Sequence, residues 1–340
     1  MITMMHFFSK TLWLVFFTIY TTGSIAQGDS SVHHKDYGII NLSVANLRTK
    51  PAHSAEMATQ LLLGTRIDIL QKQGSNYRVR TPEGYMAWIP SSSIVPMSKA
   101  EILAWNEKDK IIYTAEFGKS FSLPHKASQR VSDLVYGNIL SLQGEDHNFY
   151  EVVYPDNRVA YIPKEEAMLF INWLTTRETT PDQILISAKS MLGLPYLWGG
   201  TSVKGVDCSG FTKMSFFMNG YVIPRDASQQ VMVGDTIDIL DDTKNLSPEK
   251  AIKNLKPADL LFFAADKKNK PDARVTHVAI YIGNGEFIHA AGMVKINSLL
   301  KGAANYDDVQ TRTIVAARRY IGADDAAIQK IEESPYYNNQ

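Results

Sequence analysis

The stretch "THVAIYIGNGEFIHA" (residues 276–290) decides how the C-terminal half of the chain folds. Two runs of β-branched and aromatic residues flank Gly-Asn-Gly, which is the pattern of an antiparallel hairpin. In the first run Val278, Ile280 and Ile282 alternate with His277, Ala279 and Tyr281, so the two sets take opposite faces. A three-residue loop, Gly283-Asn284-Gly285 with Gly285 left-handed, pairs Ile282 with Glu286 and therefore Ala279 with His289. That register sets His289 on the face of His277, one diagonal step away. A slip of one residue would reverse the assignment.

Upstream, "GVDCSGF" (205–211) holds the only cysteine of 340 residues. Asp207 is placed to cap a helix running from Cys208 to about Asn219, on which Phe211, Met214, Ser215 and Met218 share a face. A cysteine in a first helical turn meets unpaired N–H groups and the positive end of the helix dipole, which favour the thiolate. His277 supplies a proton acceptor, and His289 a polar group to orient it. The chemistry expected is acyl transfer, with the helix N-terminus donating to the developing oxyanion. Two readings compete: a buried structural cysteine, and a zinc site made with both histidines and Asp207. Zinc would require the adjacent Asp207 and Cys208 to turn toward one ion, and the chain has no HExxH helix, so no metal or other cofactor is expected. His33, His34, His53, His125 and His147 read as surface or packing residues.

Around these motifs, Thr180-Pro181-Asp182-Gln183 opens a helix over about 181–192, which Gly193 can end. Strands are expected at 260–263, 276–282, 286–290 and 313–320. Helices first and antiparallel strands after make an α+β domain. The charged segment 231–256 reads as a lid or a surface insertion, and the tail "IEESPYYNNQ" (331–340) as frayed.

The N-terminal half contains a repeat. Residues 53–90 align with 126–163 at a constant offset of 73, so that Gly64 meets Gly137, Val79 meets Val152 and "AWIP" meets "AYIP". Short alternating strands with glycine turns make each copy a barrel-like β module, at 37–97 and 98–168. The repeat fails at Glu56, matched by Gln129, and at Tyr85, matched by Arg158, while apolar neighbours keep their type. Either these two residues serve something outside the module, or the surface has drifted.

Composition narrows the function classes. Thirty-five basic residues balance 35 acidic ones, which leaves no electrostatic footprint for nucleic acid or anionic lipid. Residues 1–26 combine Lys10, a short apolar run and small residues ending at Ala26, the form of a cleaved signal peptide too short for a 30 Å span. Export to a periplasm, or secretion, is therefore expected, with no stable membrane insertion after cleavage. A single cysteine allows no internal disulfide. A monomer is expected.

"LPYLWGG" (194–200), "GVDCSGF", "IPRDASQQ" (223–230), "KPADLLFF" (256–263) and the hairpin resemble, in order, the motifs of the NlpC/P60 family of bacterial cell-wall cysteine peptidases over residues 181–320. The repeated modules resemble bacterial SH3-like domains. Ala258 stands where the family commonly has glycine. The resemblance implies two all-β SH3-like barrels followed by an α+β papain-like catalytic domain at 180–320, with Cys208 as nucleophile, His277 as general base and His289 orienting it. It also implies that Tyr196 shapes the oxyanion site, although core packing is a competing reading for Tyr196 and Trp198.

The architecture most resembles γ-D-glutamyl-L-diamino-acid endopeptidases, which recycle peptidoglycan-derived peptides. In that light Glu56, Tyr85 and Asp207 would receive a free N-terminal L-alanine and Ser209 would contact the peptide backbone. Arg225 would meet a substrate carboxylate or else brace the domain as an ion pair. Two alternatives remain, a hydrolase of intact peptidoglycan that accepts blocked N-termini, and a non-catalytic wall-binding protein.

Overall fold

Alternating apolar positions build the first sheet from β1 (Tyr37–Ile40), β2 (Val44–Arg48), β3 (Met57–Leu62), β4 (Arg66–Gln73), β5 (Asn76–Arg80), β6 (Met86–Pro90) and β7 (Ile94–Met97). The computed structural model describes residues 35–267 and 273–337; the signal peptide expected at 1–26, His33 and His34 lie outside the described residues. The strand order is β3-β2-β6-β5-β4-β1-β7, and Leu47, Ile67, Val79 and Ile89 are fully buried within it. Helix α1 (Lys99–Glu107), opened by a Ser98–Glu101 capping box, leads to the second sheet. Its strands are β8 (Lys110–Tyr113), β9 (Phe117–Phe121), β10 (Arg130–Val135), β11 (Ile139–Asp146), β12 (Phe149–Val153), β13 (Val159–Pro163) and β14 (Ala167–Leu169). The order β10-β9-β13-β12-β11-β8-β14 repeats the first sheet strand for strand.

The expected barrels are not formed. Each sheet is open: β3 and β7 end the first order and β10 and β14 the second, and the described residues show no pairing that joins the ends. Alternation along a strand fixes which face is buried, whereas closure needs a pairing between sequence-distant edges that the pattern does not encode. The β3 edge is covered instead by the C-terminal region. Gln60 accepts through Oε1 from the Thr201 N–H at 3.0 Å and the Ser202 hydroxyl at 3.1 Å.

The repeat extends to how the sheets dock. Thr81-Pro82-Glu83-Gly84-Tyr85 and Tyr154-Pro155-Asp156-Asn157-Arg158 form the same turn, with Gly84 at φ +78° and Asn157 at φ +68°. In the first copy Glu83 reaches Lys213 of the C-terminal region at 3.0 Å; in the second, Asp156 accepts from Asn41 of the first sheet at 2.8 Å. One acidic turn thus serves two docking contacts.

The C-terminal region runs α2 (Phe170–Thr175), α3 (Pro181–Ser190), β15 (Thr201–Ser202), β16 (Gly205–Val206), α4 (Cys208–Phe217), β17 (Tyr221–Val222), α5 (Ala227–Gln230), β18 (Asp235–Thr236), α6 (Pro248–Asn254), β19 (Leu260–Phe263), β20 (His277–Gly283), β21 (Glu286–Ala291), β22 (Met293–Ser298), α7 (Asp308–Thr313), β23 (Ile314–Arg319) and β24 (Gln329–Lys330). A six-stranded sheet of order β18-β23-β19-β20-β21-β22 is its spine. Phe211, Met214 and Phe216 of α4 pack with Phe262, Ile280 and Ile288 on one face of that sheet.

Segment 231–256 is neither lid nor loose insertion. Ile237, Ile239, Ala251 and Leu255 bury against Leu261, Tyr281 and Phe287, covering the other face of the sheet. Its charges obscured an alternating pair of isoleucines. The tail is not frayed through Tyr337 either, since β24 pairs β17, Tyr336 donates to Asp68 at 2.7 Å and Tyr337 packs on Phe217.

Candidate active site

Asp207 caps α4 as its sequence position implies, its Oδ1 accepting from the Gly210 N–H at 2.6 Å. The other oxygen accepts from the Gly199 N–H at 2.9 Å and from Arg225 at 2.7 Å. Arg225 is 1% exposed and also donates to Thr59 of β3 at 2.7 Å and to Ser209 at 2.9 Å. Its guanidinium therefore sits behind Asp207, neutralises that carboxylate and ties the first sheet to the helix of Cys208. Between Arg225's two expected settings, this geometry is the bracing ion pair.

Cys208 is the first residue of α4 and is 7% exposed, its thiol facing the Thr276 carbonyl at 4.0 Å. Burial, followed by the Asp207 charge, pushes the thiol up to about 11, and the N–H groups of Val278 and Ser209 only partly oppose this. The thiolate expected from the helix N-terminus is therefore not the resting form, because desolvation outweighs the helix end. His277 is held down to about 3, first by burial and then by its neighbours His289 and Lys295. The resting pair is a neutral thiol and a neutral imidazole.

The hairpin has the interior register that the site requires, with Ile280 paired to Ile288 and Tyr281 to Phe287. Its turn differs from the expected three-residue loop. Gly283 pairs with Glu286 across a two-residue Asn284-Gly285 loop, both residues at positive φ, and a bulge restores the register. His277 Nε2 lies 2.8 Å from Nδ1 of the fully buried His289, and His289 Nε2 lies 3.0 Å from Asn297 Oδ1. Asn297 stands on β22, a strand absent from the sequence reading. A short "MVKINS" run after a glycine gave no turn signal strong enough to reveal it.

Glu56 and Tyr85 of the first sheet join Tyr196, Asp207, Cys208 and Ser209 around one cleft of about 310 Å³. Thr276, the residue before His277, also lines it. Tyr196 is pushed up to about 12, first by burial, then by the negative charge Cys208 takes on when it ionises and by Asp207, so its hydroxyl stays a hydrogen-bond donor. Trp198 lines the cleft and is 61% exposed, which overturns its core-packing reading.

Two further lining residues were not singled out from the sequence. Asp226 is hydrogen-bonded to Tyr85 and raised chiefly by burial, and Arg274 donates to Ser228 at 3.2 Å. Asp226 lay within a quoted motif without a partner to mark it, and Arg274 lies in a loop without periodicity. Among the described residues no group of three or more His, Cys, Asp or Glu is placed to hold a metal ion, and no helix is long and apolar enough to cross a membrane.

A helix-terminal thiol next to a strand that begins with a hydrogen-bonded histidine pair defines a cysteine hydrolase of the acyl-transfer type. The model of the NlpC/P60 family matches residues 193–313, and that of the bacterial dipeptidyl-peptidase Sh3 domain matches residues 47–94. Residues 193–313 thus carry a domain of the NlpC/P60 cysteine-peptidase type, and residues 47–94 an SH3-like domain.

Among curated relatives, the γ-D-glutamyl-L-lysine dipeptidyl-peptidase of Bacillus cereus is 29% identical over 243 residues, 69% of this chain and 67% of that protein. Dipeptidyl-peptidase 6 of Lysinibacillus sphaericus is 26% identical over 290 residues, 82% and 97% of the two chains. A crystal structure of an NlpC/P60 family protein from Bacillus cereus superposes with a TM-score of 0.67 at 25% identity, over 84% of this chain and 99% of that one.

Proposed function

We propose that this cysteine peptidase hydrolyses the γ-D-glutamyl-L-diamino-acid bond of peptidoglycan-derived peptides that carry a free N-terminal L-alanine. The observation that carries this reading is that Glu56 and Tyr85, where the internal repeat breaks, share a cleft with Cys208. A wall contributed by another sheet limits how far a substrate extends on that side. Two Bacillus relatives, both γ-D-glutamyl-L-lysine dipeptidyl-peptidases by name, support the same bond.

In this reading modules 37–97 and 98–168 frame a peptidase domain at 180–320, in an exported protein. Glu56 and Asp226 offer negative charge to the substrate ammonium. Asp207 acts beside them with its own charge matched by Arg225. An acetylated amine would leave carboxylates desolvated and unpaired. Arg274, a cation on the cleft wall, is suited to the α-carboxylate of D-glutamate, and Ser209 to the peptide backbone.

Because the resting pair is neutral, the thiol proton moves to His277 as Cys208 attacks the γ-carbonyl. The Tyr196 hydroxyl and the α4 N-terminus donate to the oxyanion. The imidazolium then protonates the leaving amine, and water, activated by His277, releases L-Ala-D-Glu.

The test is mass spectrometry of L-Ala-γ-D-Glu-diaminopimelate and its N-acetylated form after incubation with wild type and Cys208→Ala. Release of L-Ala-D-Glu from the free peptide alone, lost in the variant, supports the reading. Equal cleavage of both peptides transfers it to a hydrolase of intact peptidoglycan. Cleavage of neither removes it.

A further inference from the structure

Asn297 ends a chain of ring contacts whose donors and acceptors can be assigned one by one. Its Nδ2 donates to the Asn305 carbonyl at 3.0 Å, a carbonyl that also accepts from the Ser298 N–H at 2.9 Å. Reversing the amide would set Oδ1 against that carbonyl, so the oxygen must face His289, at 3.0 Å from Nε2. An amide oxygen only accepts, and His289 Nε2 therefore carries a proton. In a neutral imidazole Nδ1 is then the acceptor, and across 2.8 Å the proton between the rings belongs to His277 Nε2. This leaves Nδ1 of His277 as the nitrogen with a free lone pair.

We propose that Asn297 is a positioning residue: held by the Asn305 carbonyl, it fixes the tautomers of both histidines so that His277 presents Nδ1 to the thiol proton. Burial supports the assignment, since both imidazoles are held below their ordinary range and a doubly protonated ring is disfavoured. The opposite tautomer of His289 would point two lone pairs at each other across the Asn297 contact. Asn305 is itself anchored, its Nδ2 donating to Glu286 at 3.0 Å. The relay thus joins β20, β21, β22 and the loop before α7. It does not depend on which peptide is cleaved.

The test is nitrogen NMR of the histidine-labelled protein with Asn297→Leu and Asn297→Asp. In wild type both His277 and His289 are expected to be protonated on Nε2 alone. Asn297→Leu should give mixed tautomers and lower kcat about tenfold or more, with KM changed by less than about twofold. Asn297→Asp gives up the bond to the Asn305 carbonyl but still offers an accepting oxygen to His289 Nε2. It should therefore keep the tautomers and move the acid limb of kcat/KM to higher pH, as a carboxylate joins Asp307 in opposing the Lys295 charge near the rings.

Protonation of His277 on Nδ1 in wild type would overturn the proposal, as would a Leu variant with wild-type tautomers and kcat, or an unmoved acid limb in the Asp variant. If the Leu variant does not fold, the wild-type tautomers and the Asp profile decide. If wild type does not cleave the tripeptide, the substrate reading fails on its own, and the pH-dependent rate of Cys208 alkylation by iodoacetamide replaces kcat.

Discussion

Glu83, in the turn between β5 and β6, and Lys213 of α4 form an ion pair at 3.0 Å, with the Glu83 side chain 2% exposed. Both carboxylate oxygens are buried and find no hydrogen-bond partner among the described residues, so the lysine charge is what compensates them. Lys213 lies five residues after Cys208, and Glu83 two residues before Tyr85, in a turn closed by the Thr81 N–H donating to the Tyr85 carbonyl at 2.9 Å. The pair therefore joins the two walls of the cleft.

Removing one partner of such a pair costs more than removing both, because a lone buried charge is left. Lys213→Met should lower stability by about 3 kcal/mol, and Glu83→Met/Lys213→Met should recover most of that loss. Urea denaturation measures both. A double variant no more stable than Lys213→Met would mean that packing, and not charge, sets the contact.

The acid stability of the protein should carry the signature of His277. Its folded value of about 3 lies below the ordinary range, so the unfolded chain takes up the proton first as pH falls. Stability is present above pH ~6.5 and is lost toward pH ~3 at about 1.4 kcal/mol per pH unit. In His277→Asn this slope should be missing, so the stability gap between variant and wild type narrows on acidification. A gap constant from pH 7 to pH 4 would contradict the buried neutral imidazole.

Cys208 alkylation should report a reluctant thiol. Without substrate, its rate with iodoacetamide is expected to climb through pH 9 and 10 toward the value of about 11, not to level off near the ordinary thiol range. Asp207→Asn removes a negative neighbour and leaves Arg225 positive, so it should speed alkylation at pH 8. A slower Asn variant would show that loss of the helix cap outweighs the charge.

The legible part of this site was local in sequence. The N-cap at Asp207, the alternation in β20 and the repeat that failed at Glu56 and Tyr85 all follow from short patterns. What was hidden depends on distant partners. That the sheets stay open is set by their sequence-distant edges, and the second layer made by 237–255, the Asn297–His289 contact and the pairing of Glu83 with Lys213 join segments whose spacing carries no period. The thiol's protonation was misread for the same reason, since a helix end is visible in sequence and desolvation is not. Ala258 shows the reverse case: it adopts φ +72°, which explains the family's glycine and costs an alanine about 1 kcal/mol.

Gly210 sets two known tendencies against each other. Alanine in a helix interior is favoured over glycine by about 1 kcal/mol, so propensity alone would make Gly210→Ala stabilising. A Cβ there would stand 1.9 Å from the Gly200 carbonyl oxygen. That oxygen is not free to retreat, since it accepts from the Asp207 N–H at 3.1 Å while Asp207 in turn caps Gly210. Relieving the clash must therefore shift the turn that carries Asp207 and Cys208, and forced overpacking of this kind costs typically 1–3 kcal/mol or more. Gly210→Ala should lose about 2 kcal/mol net and most of its peptidase activity, read from urea denaturation and from initial rates. A variant as stable and as active as wild type would show that the Gly200 loop yields, and that the close approach at Gly210 does not hold Cys208 in place.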